Sequence, residues 1–261
     1  MQGKYYTTTV KPNIDILGNV EIAVGGVIFD WTAFEIPKGT AALQSISAIV
    51  AGLNGADVAG SRDMELYFAH SVNGAAPPTL GNTGSAVTGI IANQSRPYVI
   101  DKVSIDGSAQ RSSVHFISYN VWSLSGKTGN DADNVNSLLS NDDNYSGTTP
   151  GYQTLWVAGL AETAAFDFGT AVALNQAGHQ AISTTAVDLI TNGTDPRLVF
   201  AVGDEVVSFV AADGSLPKQV GTVTAIADNV SLEVDAVAEA FNHTTEICNR
   251  NPIKFRLNFS Y

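Results

Sequence analysis

The chain has 261 residues, 25 of them acidic and 13 basic, for a net charge of −12, which argues against nucleic acid and anionic membrane as partners. Hydrophobic residues at 44% exclude a disordered chain, and charged residues at only 15% leave little material for long solvent-facing helices. The single cysteine, Cys248, excludes an internal disulfide, fits folding in a reducing cytosol, and reads as a small buried apolar residue.

The opening MQGKYYTTTV lacks the apolar core of a signal peptide, and no apolar run reaches membrane-spanning length. Glycosylation triplets at Asn93, Asn144, Asn192, Asn229, Asn242 and Asn258 are therefore read as products of an Asn/Ser/Thr-rich composition. Residues 14–34 are apolar and β-branched, with Gly18-Asn19 and Gly25-Gly26 as turn signals between short strands. The run Phe34–Thr40 closes a strand with a Pro and Gly turn. Ile46, Ala48 and Val50 form one strand face, while Leu43, Ser45, Ser47 and Ile49 break strict alternation. Met64, Leu66 and Phe68 form a second face, and Asn54-Gly55 between the two runs predicts a hairpin from Leu43 to His70.

A long polar loop is expected over 71–89, of the kind that carries partner contacts on a β scaffold. Strands follow at Tyr98–Ile105 and Ser113–Trp122. The insertion 125–151 is the most polar, with Asp133 placed to cap a short helix over Asn134–Ser140. Leu155–Leu160 and Ala164–Phe168 read as short strands, and Ala171–Ser183 shows weak periodicity. From residue 186, turns at Asn192-Gly193, Asp213-Gly214 and Asp228-Asn229 punctuate strands. With the GDEV turn and GTVTAI, these read as a five-stranded SH3- or OB-like barrel over 186–247. Pro252–Tyr261 alternates, with Ile253, Phe255, Leu257 and Phe259 on one face, and is expected to rejoin the first sheet. The expected fold is all-β: a sandwich over 1–185 plus 248–261, with the jelly roll as one arrangement it admits, and a small barrel module over 186–247.

Motifs for chemistry are weak. Gly126-Lys127-Thr128 lacks the earlier glycine of a phosphate loop, and there is no G-x-S-x-G elbow. His70, His115, His179 and His243 are scattered and read as strand surface or loop. His243 and Glu246 form an HxxE without a helix to put both on one face. Asp131, Asp133, Asp142 and Asp143 form an oxygen-rich loop suited to Ca²⁺, but the EF-hand order fails and a solvated loop is the simpler reading. Trp31, Trp122 and Trp156 could stack on sugar rings if exposed, though a β core is the commoner place for tryptophan. The sequence thus assigns no catalytic, cofactor or metal residue, and the expected protein is not an enzyme.

Two segments carry a resemblance. FEIPKGTAALQSISAIVAGLNGADVAGSRDMELYFAHSVNG and FAVGDEVVSF, the latter followed by GTVTAI and VSLEVDA, resemble virion structural proteins of tailed phages of marine bacteria and cyanobacteria. Together they cover less than half of the chain. The resemblance implies a many-copy particle component made in the host cytoplasm, of the capsid decoration or cement class. Its implied place is the capsid surface, and its partners the major capsid protein and copies of itself, a trimer among the options. A tail or baseplate subunit is the alternative, and a glycan-binding receptor protein a further one. The GKYYTTTVKP stretch reads as an arm to lay on a neighbour, or else as a frayed terminus or a first strand.

Overall fold

The structure, a computed structural model, describes residues 4–14, 21–53, 63–105, 115–116, 119–125, 138–141, 149–162, 166, 168–169, 171–174, 187–209, 218–235 and 246–261. In chain order the strands are β1 (Tyr5–Val10), β2 (Val27–Pro37), β3 (Ala41–Ala51), β4 (Met64–Ala69), β5 (Val99–Ile105), β6 (His115–Phe116), β7 (Tyr119–Ser125) and β8 (Leu138–Leu139). They continue as β9 (Tyr152–Ala161), β10 (Val172–Ala173), β11 (Val187–Ile190), β12 (Glu205–Phe209), β13 (Lys218–Ala225), β14 (Ser231–Val234), β15 (Glu246–Asn249) and β16 (Ile253–Ser260). A short helix, α1 (Gly89–Ser95), precedes β5. The fold is all-β, as the excess of β-branched and small polar residues predicts.

Two antiparallel sheets form a sandwich, one ordered β1-β16-β3-β7-β6 with β8 beside β3, the other β2-β9-β4-β5. Setting aside the two-residue β6 and β8, consecutive sandwich strands lie in opposite sheets except for β4 and β5. That winding, with the last strand inserted between the first and third, is a jelly roll.

It overturns the hairpin expected from Leu43 to His70, since β3 and β4 belong to opposite sheets. Their apolar faces meet across the core, where Ile46, Ala48 and Val50 cluster with Met64, Leu66 and Phe68. Alternation defined the buried faces correctly but not the partners. Asn54-Gly55 and Gly18-Asn19 lie outside the described residues. The single strand expected at Ser113–Trp122 is instead two, β6 and β7, paired as His115↔Asn120 and Phe116↔Tyr119. At the end of the helix expected over Asn134–Ser140, Leu138–Leu139 pair with Ala42 and Ala41 as β8; Asp133 lies outside the described residues.

β16 pairs with β1 on one side and β3 on the other, its four alternating apolar residues all buried. Asn258 faces Ser45 while Phe259 faces Leu43, so Gln44 is the extra residue of a bulge. The bulge returns Leu43 to the inner face with Ile46 and explains the broken alternation of β3. Phenylalanines dominate the core: Phe34 meets Phe68 edge-on and stacks on Phe259, and Phe29 lies against Phe255. Gly159 sits under the Phe29 ring, where a Cβ would come within 2.3 Å of it.

Between β9 and β16 the chain forms a third antiparallel sheet, β10-β15-β12-β13-β14-β11. It has six strands, one more than expected, because β10 adds to the edge. A Leu174↔Thr191 bridge and the bond from Asn192 N to Ala173 O (2.8 Å) join its two ends into a barrel-like curl. Val206, Val220, Val223, Leu232, Val234 and Ile247 fill its core. Val207 and Cys248 point the other way and join the sandwich core. The expected turns at Asn192-Gly193, at GDEV and at Asp228-Asn229 are present, with Gly203 at φ 91°. The Asp213-Gly214 turn lies outside the described residues.

Candidate functional site

The order β2-β9-β4-β5 places Leu160, Glu65, Tyr67 and Lys102 side by side on the outer face of the smaller sheet. Leu160 faces both Val27 and Glu65, and Tyr67 faces Lys102. The segment 70–98 folds back over this face and is pinned to β2. Asp30 is the principal anchor: its carboxylate accepts the Leu80 N–H at 2.9 Å, the Trp31 N–H at 2.8 Å and the Thr79 hydroxyl at 2.5 Å. Trp31 Nε1 donates to Pro78 O at 3.0 Å, which fixes the indole. Backbone bonds from Gly84 N to Val27 O and from Val27 N to Ser85 O extend the seam. The Thr88 hydroxyl then caps α1 by accepting the Ile91 N–H.

The result is a pocket of about 270 Å³. Trp31, Leu80, Val87, Val99 and Leu160 give it apolar walls, and Glu65, Tyr67 and Ser95 supply polar groups. Glu65 accepts from Lys102 Nζ through one oxygen and from the Tyr67 hydroxyl through the other. Burial pushes the Glu65 carboxyl up, but these two hydrogen bonds and the Lys102 charge outweigh it and hold the group below its ordinary range. Burial, and then the donation to Glu65, push the Tyr67 hydroxyl up. At neutral pH the pair is therefore a carboxylate and a protonated phenol. Nearby Glu162 is raised by burial and by the Glu65 charge, with Ser104 donating to it at 3.3 Å. Ser95 is buried, and its hydroxyl has no hydrogen-bond partner.

The opposite outer face, that of the larger sheet, differs in chemistry. β1, β3 and β16 contain no acidic residue, in a chain with 25 of them. The cross-strand row Thr7, Asn258 and Ser45 is hydrogen-bonded, with the Thr7 hydroxyl donating to Asn258 Oδ1 and Asn258 Nδ2 donating to Ser45 Oγ, both at 2.8 Å. The next row is Thr9, Arg256 and Ser47. Lys254 and Arg256 are the charges that β16 contributes. At one end Tyr5 is 81% exposed, and the rings of Tyr6 and Tyr152 lie 5.8 Å apart. A groove of about 330 Å³ lies where the third sheet meets β3 and β16. Asp204 in its lining is already engaged by Asn249 Nδ2 at 2.6 Å, the Ala201 N–H at 2.9 Å and Lys254 Nζ at 3.9 Å.

Of the tryptophans, Trp156 is buried and Trp31 is half-buried against the pocket; the Trp122 side chain lies outside the described residues. His70 places Nε2 3.3 Å from Pro97 O. Cys248 is fully buried, and burial pushes its thiol well up, as expected of a packing residue. Glu246 lies on β15. Asp131, Asp133, Asp142, Asp143, His179, His243 and 126–128 are outside the described residues, as is the side chain of His115. Among the described residues no three His, Cys, Asp or Glu gather as metal ligands. Sequence reasoning missed Asp30, Glu65, Tyr67 and Ser95. The alternation of MELYFA turns Glu65 and Tyr67 outward together, but nothing local to it names Lys102, Trp31 or Ser95 as neighbours. No protein-family model matches the chain, and no curated protein is similar to it in sequence.

Proposed function

We propose that the protein is a structural component of a tailed-phage virion that decorates and stabilises the capsid, binding capsomers and copies of itself. The observation that carries this reading is the acid-free outer face of β1, β16 and β3 on an otherwise strongly acidic molecule. Thr, Ser and Asn hydroxyls and amides ordered across a rigid sheet present a level surface with little charge to desolvate, which suits a stable protein contact. Arg256 gives it a sign opposite to that of the molecule as a whole, which orients approach to a polar or acidic partner. The acidic remainder keeps free copies apart in solution. The jelly roll supports the reading at the level of analogy, being a fold of viral capsid and lectin domains.

The test is to add purified protein to phage heads and to tails, sediment each, and image bound protein by immunogold microscopy. Regular labelling over heads, lost in an Arg256→Glu/Thr7→Glu double variant that stays folded, is the expected result. Labelling confined to tails replaces decoration with the tail-subunit reading. No labelling of any particle, or labelling indifferent to the double variant, overturns the proposed docking face.

A further inference from the structure

We propose that the pocket on the outer face of the β2-β9-β4-β5 sheet binds a single pyranose ring of a neutral carbohydrate. Its volume of about 270 Å³ is just below the roughly 300–1,000 Å³ of pockets for drug-sized ligands, which suits one ring. Trp31 has its N–H committed to Pro78 O, so what it offers a ligand is the ring itself. An aromatic face carries negative potential, which complements the weakly positive C–H face of a sugar.

The polar groups answer the hydroxyls. A carboxylate has about four acceptor positions, and Glu65 has one bond to Lys102 and one to Tyr67. The Tyr67 oxygen, whose O–H points to Glu65, remains an acceptor. An apolar ligand would bury these groups dry. An anion would meet the Glu65 carboxylate with the Glu162 charge behind it, and for a cation the Glu65 charge is already offset by Lys102. A neutral polyhydroxylated ring satisfies each constraint. The Asp30 anchor pre-forms the site by locking the pocket roof before any ligand arrives. This inference does not rest on the capsid reading. The two outer faces of a sandwich point in opposite directions, however, so a copy docked through β1, β16 and β3 would turn this pocket away from the particle.

The test uses the full-length protein and a panel of methyl glycosides of glucose, galactose, mannose, fucose and N-acetylglucosamine. Binding is read by tryptophan fluorescence and by ligand-observed NMR saturation transfer. At least one glycoside is expected to saturate with Kd on the order of 1 mM, weakened at least about tenfold by Trp31→Ala and about fivefold by Tyr67→Phe. The urea midpoint of each variant is recorded beside its Kd, which separates loss of binding from loss of fold. If Trp31→Ala fails to fold, Tyr67→Phe decides the matter. No saturable signal with any glycoside, or an unchanged Kd in Tyr67→Phe, overturns the proposal. Because it requires no particle, its failure and that of the capsid reading are separately visible.

Discussion

Phe29 and Gly159 face each other across the β2–β9 pair, between two register shifts that set consecutive residues Ile28 and Phe29 into the same core. With 2.3 Å to the ring, an added methyl cannot be absorbed without moving Phe29 or the strand. Gly159→Ala is expected to destabilise the protein by about 1–3 kcal/mol, the usual consequence of overpacking. It should appear as a lower urea midpoint at constant slope, and Phe29→Leu in the same chain should recover part of the loss. Two neighbouring glutamates, Glu65 in the pocket and Glu162 beside it, respond to acid with opposite signs. Glu65 is held below its ordinary pKa, so its stabilisation is complete above that value and disappears as pH falls through the lower folded one. Glu162 is raised, so it opposes folding at neutral pH, and that opposition fades as pH drops through its raised value towards the ordinary one. Glu162→Gln should therefore raise stability at pH 7 and Glu65→Gln lower it, with both differences shrinking on acidification in urea titrations. Each effect should stay at or below about 1 kcal/mol, since Lys102 is 46% exposed and water screens the pair.

At the scale of the element, Asp228 shows how a turn is set by one side chain. Its Oδ1 accepts the Val230 N–H, the Ser231 N–H and the Ser231 hydroxyl, which orients entry into β14. Asp228→Ala should speed hydrogen exchange at the Val230 and Ser231 amides and leave the sandwich amides unchanged. This turn was legible because an Asx turn is written in consecutive residues, and β16 was legible because four buried residues alternate without a break. β3 was only half legible, since a bulge at Gln44 is fixed by β16, more than 200 residues away. The partner of β4 was illegible for the same reason: periodicity specifies a face, while a jelly roll chooses neighbours by winding strands between two sheets. α1 was missed because GIIANQS has too few turns to show a stripe, and its start rests on the Thr88 cap alone. The pocket inherits these limits. Trp31, Glu65 and Ser95 come from β2, β4 and α1, and β9, which completes the site through Leu160, follows them all in the chain.

For the whole molecule, the question is whether the third sheet is an appendage or part of one cooperative unit. β12 and β15 each have two faces: Val206 and Ile247 fill the core of the third sheet, while Val207 and Cys248 are counted in the sandwich core. A further tie runs through Arg250, whose guanidinium meets Glu205 at 2.8 Å and whose carbonyl accepts the Ile14 N–H at 3.1 Å. Opening the third sheet alone would strip Val207 and Cys248 from the sandwich and expose apolar surface on both sides, which favours concerted unfolding. Cys248 makes this measurable, because a buried thiol with a raised pKa is inert until the contact opens. The native protein should resist an aromatic disulfide reagent at pH 8, and its labelling midpoint in urea should coincide with the fluorescence transition, to which the sandwich residues Trp31 and Trp156 contribute. Labelling well below the fluorescence midpoint would show the third sheet peeling away first. The shared residues Val207 and Cys248 would then be a sliding contact between two independent folds, and cutting the insertion out would leave a stable jelly roll.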